Sequence, residues 1–154
     1  MAENEYKLPQ VKVCLCLKEA PALYSSKAIM SKDDAVRLIS EELKEQDREH
    51  LYVINLNTKG IPISYEVVSV GDLSTSIVAV SNVYKSAILS NAASIILAHN
   101  HPSGTLIPSK MDEDVTKRVA AAGKLMGIQL LDHIIVSGYE GNVYSFREEQ
   151  PELL

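Results

Sequence analysis

A chain of 154 residues has the length of one domain and is long enough to close a hydrophobic core. Its 46% hydrophobic and 23% charged residues are the proportions of an ordinary folded protein and exclude a disordered one. No window approaches the ~18 consecutive apolar residues of a membrane helix, and a net charge of −5 with no Trp, one Phe and no basic run argues against autonomous binding to DNA phosphates.

The first residues, Met1 to Lys7, offer neither the cationic start nor the apolar run of a secretory signal. Residues 11–17 alternate in type and are expected as a strand. Cys14 and Cys16 lie two apart on that strand, where disulfide geometry is out of reach, so they read as reduced thiols of a cytoplasmic protein. A connector holding Pro21 follows. Ser31 and Asp34 form an N-cap signature, and Ala35, Leu38, Ile39 and Leu43 then recur at helical spacing. Residues 51–56 and 61–70 are expected strands around a turn at Thr58-Lys59-Gly60. Residues 77–80 suggest a short strand, and Ser81 or Asn82 a cap for a helix reaching about Asn91. The continuous apolar run 94–98 is the mark of a strand buried on both faces. Ser109 opens a helix that stops at Gly127, and residues 128–136 and 142–146 are two further strands joined through Gly138 and Gly141. The expectation is a mixed α/β domain over residues 31–148, preceded by an N-terminal strand and connector (1–30) and followed by a frayed C-terminal tail (149–154).

The chemistry concentrates between His99 and Asp112. His99 and His101, at i and i+2, leave one face of a strand, and Pro102 ends that strand at its carboxyl edge, where open α/β sheets place ligands. The following helix has an apolar stripe of Val115, Val119, Ala122 and Met126, and its backward extension lands on Asp112. A carboxylate on an inward stripe is costly unless paired or bound to a cation. Two imidazoles and one carboxylate make three ligands for a tetrahedral zinc and leave one position for water. Plainer readings stand beside this one. Ser109 to Asp112 is also a capping box, compatible with metal binding, and an H-x-H pair alone serves more often as hydrogen-bonded or surface histidine.

The string H-x-H, seven residues, S-x-x-D resembles the JAMM (MPN+) metalloprotease motif, and the fuller H-N-H-P-S-G…P-S-x-x-D is similar to the RadC family. The likeness runs from about residue 31 to 148, through Asn91 to Ala98, Gly123 to Ile128, Leu131 to Val136 and Tyr144 to Arg147. It implies a cytidine-deaminase-like architecture, a mixed central sheet flanked by helices, with one zinc per chain held by His99, His101 and Asp112. It also implies that Glu66, on the upstream strand, exchanges protons with the attacking water and the leaving amine, and that Ser109 stabilises an oxyanion. Residue pattern alone does not single out Glu66; it only places that side chain opposite Ile61, Ile63, Tyr65 and Val67.

Other features of the same region have simpler expectations. His133 is read as a core histidine bonded to backbone, with orientation of a zinc ligand as the alternative. Asn100 is expected to bond a neighbouring loop, and Ser103 and Gly104 to make a turn.

Two departures limit the likeness. RadC-type proteins carry a helix-hairpin-helix region ahead of this domain, for which residues 1–30 are too short, and Val80-Ser81-Asn82-Val83 stands where the family often shows Pro-Arg-Glu. The functional expectation is a zinc-dependent peptidase or isopeptidase acting on a peptide or protein substrate. The alternative is a non-catalytic accessory module of DNA repair or of a mobile element, and the oligomeric state is open. A nucleobase deaminase is disfavoured, because its H-x-E and P-C-x-x-C signatures are missing.

Overall fold

A computed structural model describes residues 16, 27–44, 46–71, 78–137 and 142–154. The expected strand over 11–17, the thiol of Cys14 and the Gly138–Gly141 turn lie outside the described residues; Cys16 is an exposed free thiol.

Helix α1 (Lys32–Lys44) starts where Ser31 and Asp34 cap it reciprocally: Asp34 N donates to Ser31 Oγ and Ser31 N to Asp34 Oδ2. Ala35, Ile39 and Leu43, spaced four apart, are its buried face. Strands β1 (His50–Leu56) and β2 (Pro62–Val70) form an antiparallel pair, followed by helix α2 (Val80–Leu89), strand β3 (Ser94–His101), helix α3 (Lys110–Met126), strand β4 (Gln129–Ser137) and strand β5 (Val143–Ser145). Among the described residues the five-stranded sheet has the order β2-β1-β3-β4-β5, and its one parallel pair, β3 with β4, is joined through α3. The mixed α/β architecture flanked by helices is therefore as expected.

Strand β3 occupies the centre and is buried along its whole length. Its alternation feeds two cores. Ile95 and Leu97 meet Leu51, Val53, Val83, Tyr84, Val115 and Val119 beneath α2 and α3, whereas Ile96 and Ala98 meet Ala35, Ile39, Tyr52 and Ile134 beneath α1. Continuing the same alternation carries His99 and His101 to the α2/α3 side and Asn100 to the other.

Several expectations need correction. Val78 and Ala79 form no strand, and α2 begins already at Val80 with Ala79 as an N-cap that makes no side-chain bond; Ile77 is outside the described residues. Met126 is 40% exposed and Ala122 half-buried, because the inward face of α3 turns instead through Thr116, Ala120 and Gly123. Phe146 does not extend β5 but opens helix α4 (Phe146–Glu149), capped by Ser145, and a single 3-10 turn (Pro151–Leu153) follows. The C-terminal residues thus pack rather than fray: Leu154 lies against the α2/α3 core and its carbonyl accepts from Lys124 Nζ.

Gly123 explains how α3 sits so close to its neighbours. A Cβ there would stand 2.5 Å from the Ile128 carbonyl oxygen and against the Tyr84 hydroxyl. That hydroxyl lies 3.0 Å from Val119 O and 3.2 Å from Ile128 O, so one proton serves a carbonyl within α3 and another just beyond its end, and burial pushes its pKa up to about 12. Gly127 then ends the helix in the left-handed conformation at φ 70°. Gly123→Ala is expected to destabilise the fold by ~1–3 kcal/mol through overpacking, and Tyr84→Phe by ~1 kcal/mol through the lost hydrogen bond. Urea unfolding measures both, and a Gly123→Ala midpoint equal to wild type would contradict the close approach.

Candidate metal centre

The carboxyl end of β3 delivers two rings to one place because it stays extended through His101 and stops at Pro102. The chain then turns, with Gly104 N donating to His101 O and Gly104 at φ 81°, the turn expected of Ser103 and Gly104. Asn100 Oδ1 accepts from His50 N and its amide donates to Arg48 O, so Asn100 ties the strand end to the segment leading into β1.

Asp112 arrives from α3 as part of the cap. Ser109 N and Oγ both donate to Asp112 Oδ2, at 2.7 and 2.6 Å, and Asp112 N returns a bond to Ser109 Oγ. The reciprocal bonds fix the carboxylate against the histidines. His99 Nε2 lies 3.0 Å from His101 Nε2 and 3.4 Å from Asp112 Oδ1, and His101 Nε2 lies 3.6 Å from Asp112 Oδ2. Donors held at about 2.0–2.1 Å around a tetrahedral zinc stand ~3.3 Å apart, so the spacing suits a small divalent ion. The three residues are a group able to hold a metal ion, and among the described residues no fourth His, Cys, Asp or Glu joins them.

All three are buried, at 0%, 5% and 2% exposure for His99, His101 and Asp112. Burial and the neighbouring His133 hold the His99 pKa well below the usual histidine value. Burial also opposes a charge on His101, but its contacts with Asp112 and the Thr105 carbonyl outweigh this and raise it. Burial alone would raise Asp112; His101, His99 and the Ser109 bonds overcome it and keep the carboxyl well below the ordinary range. A buried carboxylate facing two imidazoles is the electrostatic condition that a cation satisfies.

His133 departs from the expected backbone-bonded role. Its Nε2 lies 2.8 Å from His99 Nδ1 and its Nδ1 lies 2.7 Å from Thr116 Oγ1, so both ring nitrogens meet side chains, while the ring stacks on Phe146 at 5.0 Å. Thr116 was not singled out from sequence. The available signal was its place four residues after Asp112, one turn along the same helix face.

Glu66 lies on β2 opposite Val53, which is itself opposite Leu97 on β3. Residues paired in this way share a face, so Glu66 is on the same side of the sheet as His99 and His101, one strand removed. Its Oε2 is buried and has no hydrogen-bond partner among the described residues. Ser109 is at the site, with its hydroxyl proton directed to Asp112.

A mixed sheet with helices on both faces and a His-His-Asp group at the central strand's edge defines a domain of the JAB/MPN type. Residues 29–151 match the RadC-like JAB domain, and the chain belongs to that family. It is 49% identical over 126 residues to a UPF0758 protein of Clostridium acetobutylicum, covering 82% of this chain and 54% of that one. It is 43% identical over 122 residues to a UPF0758 protein of Caldanaerobacter subterraneus, covering 79% and 52%. The chain spans about half the length of the curated relatives it matches. No helix among the described residues is long and apolar enough to cross a membrane.

The buried rings give the metal-free protein a defined acid sensitivity. Enclosure lowers the His133 pKa from 6.5 to about 4. Between those values the unfolded chain takes up a proton that the folded one refuses. The contribution is therefore fully present above pH 6.5 and is lost as pH falls through about 4, by ~3 kcal/mol for this group. His99, also lowered, acts in the same direction, and His101, raised, offsets part of it. Urea unfolding of the metal-free protein should show stability falling on acidification; a flat or rising profile would contradict the enclosure of His133.

Proposed function

We propose that the domain is a zinc-dependent peptidase or isopeptidase that hydrolyses an amide bond in a peptide or protein substrate. The observation that carries this reading is the buried His99-His101-Asp112 group with no fourth side-chain donor among the described residues, the donor set of a catalytic site with an open position.

A zinc ion at this position would supply Lewis acidity and make water a better nucleophile near neutral pH. His99, His101 and Asp112 would hold the ion. Glu66, whose buried Oε2 has no partner among the described residues, takes a proton from the attacking water and returns it to the leaving amine. Ser109 keeps the carboxylate oriented through its backbone N–H, and its hydroxyl turns from Asp112 Oδ2 toward the oxyanion as negative charge develops.

A second reading, an accessory module of DNA repair or of a mobile element that uses zinc to hold its fold, is favoured by the near-complete enclosure of the three donors. One set of measurements separates the two. Protein purified under zinc-replete conditions should carry one zinc per chain, and His99→Ala or Asp112→Ala should lose it. Glu66→Gln should keep the zinc while cleavage of a peptide and isopeptide library falls by ~100-fold or more. Absence of zinc from the wild type would end both readings. Full zinc without cleavage would select the module, and wild-type cleavage by Glu66→Gln would remove Glu66 from its role.

A further inference from the structure

We propose that Thr116 and His133 are positioning residues that place the ring proton of His99 on Nδ1, so that its Nε2 lone pair faces Asp112 and His101 before any metal arrives. The inference rests on the metal centre proposed above and assigns roles to two residues outside the ligand set.

The argument is one of hydrogen-bond direction. The carbonyl of Asp112 can only accept, so Thr116 Oγ1, 2.6 Å away, spends its single proton there. Thr116 can then only accept from His133 Nδ1 at 2.7 Å, and that nitrogen must carry the His133 proton. In a neutral ring the other nitrogen, Nε2, is then a bare acceptor. It lies 2.8 Å from His99 Nδ1, which must therefore be the donor. The proton on Nδ1 leaves His99 Nε2 as a lone pair, 3.0 Å from His101 Nε2. On His101 the same state is set directly, because its Nδ1 donates to the Thr105 carbonyl at 2.9 Å. The opposite polarity would run a proton from His99 Nε2 toward His101 and reverse each bond back to Thr116, whose hydroxyl could then no longer reach the Asp112 carbonyl. A helix backbone oxygen thus decides the tautomer of a ligand three hydrogen bonds away. Because that oxygen belongs to Asp112, the ligand residue itself anchors the chain that orients its partner.

The relay is also enclosed. Thr116, His133 and His99 are 0%, 1% and 0% exposed, so these bonds are shielded from bulk solvent. Phe146 stacks on the His133 ring at an interplanar angle of 11° and holds its plane.

The test uses the whole chain with Thr116→Val, which keeps the shape and removes the hydroxyl, Thr116→Ser, which restores it, and His133→Leu. Nitrogen-15 spectra of the histidine rings in the metal-free protein at mildly alkaline pH report the tautomer, and a competing chromophoric chelator reports zinc affinity. Wild type and Thr116→Ser should show His99 protonated on Nδ1. Thr116→Val, folded by circular dichroism, should show a mixed or reversed tautomer and bind zinc ~10–100-fold more weakly, the usual cost of losing a partner that orients a metal-ligating histidine. His133→Leu should weaken zinc at least as much. A His99 proton on Nε2 in the wild type overturns the relay. So does a folded Thr116→Val that keeps the Nδ1 tautomer and binds zinc within about twofold of wild type. Failure of the wild type to bind zinc would overturn the metal centre instead, and the ring spectra would still decide the relay.

Discussion

The negative charge of Asp112 is the constraint around which the domain is arranged. A carboxylate at 2% exposure is tolerable only with several partners, and the structure provides them in layers. The two donors of Ser109 hold one oxygen from the helix side, and two imidazoles face the group from the strand side. The cap and the candidate site are the same interaction. Helix α3 begins where Ser109 and Asp112 close their reciprocal bonds, and that start is what aims the carboxylate at the end of β3.

Around that point the fold is economical in its use of one strand. Strand β3 supplies Ile95 and Leu97 to one core and Ile96 and Ala98 to the other, then carries the same alternation past the cores as His99, Asn100 and His101. Leu97 and Ala98, one on each face, are both at 0% exposure, so the strand end is held by packing on both faces and the two rings inherit that rigidity. The close approach of α3 at Gly123 and the Tyr84 hydroxyl fix the far end of the helix, and the cap fixes the near end.

Much of this was legible in the residue pattern, and the limits have physical causes. The same S-x-x-D signal stands at Ser31–Asp34 and at Ser109–Asp112, and both of these form reciprocal caps. Local spacing cannot tell them apart. What differs is tertiary: Asp34 pairs with Arg37 at the surface, while Asp112 is buried beside two histidines. The H-x-H pair and the stripe through Val115 and Val119 pointed to the second. The stripe was misplaced at Met126 because Gly123 has no side chain to register as apolar, yet its lack of one is what lets that face of α3 approach. His133 and Thr116 come from a strand and from the helix that packs against it, and their partnership is invisible in either segment alone. The packing of α4 was hidden for a similar reason. Asp132 accepts from His133 N, Ser145 Oγ and Arg147 N, and these bonds lock the corner where β5 ends.

The order of the parts along the chain bears on how the centre comes into being during synthesis. His99, His101 and Asp112 span a single strand–loop–helix unit, whereas the ring that bonds His99 belongs to β4, after the whole of α3. A growing polypeptide therefore presents all three donors before the strand that encloses them has been translated. Parallel pairing of β3 with β4 closes across the whole of α3, and such non-local pairings are in general slow to form. In that interval the donors are still open to solvent, which is when an ion has its least obstructed route inward.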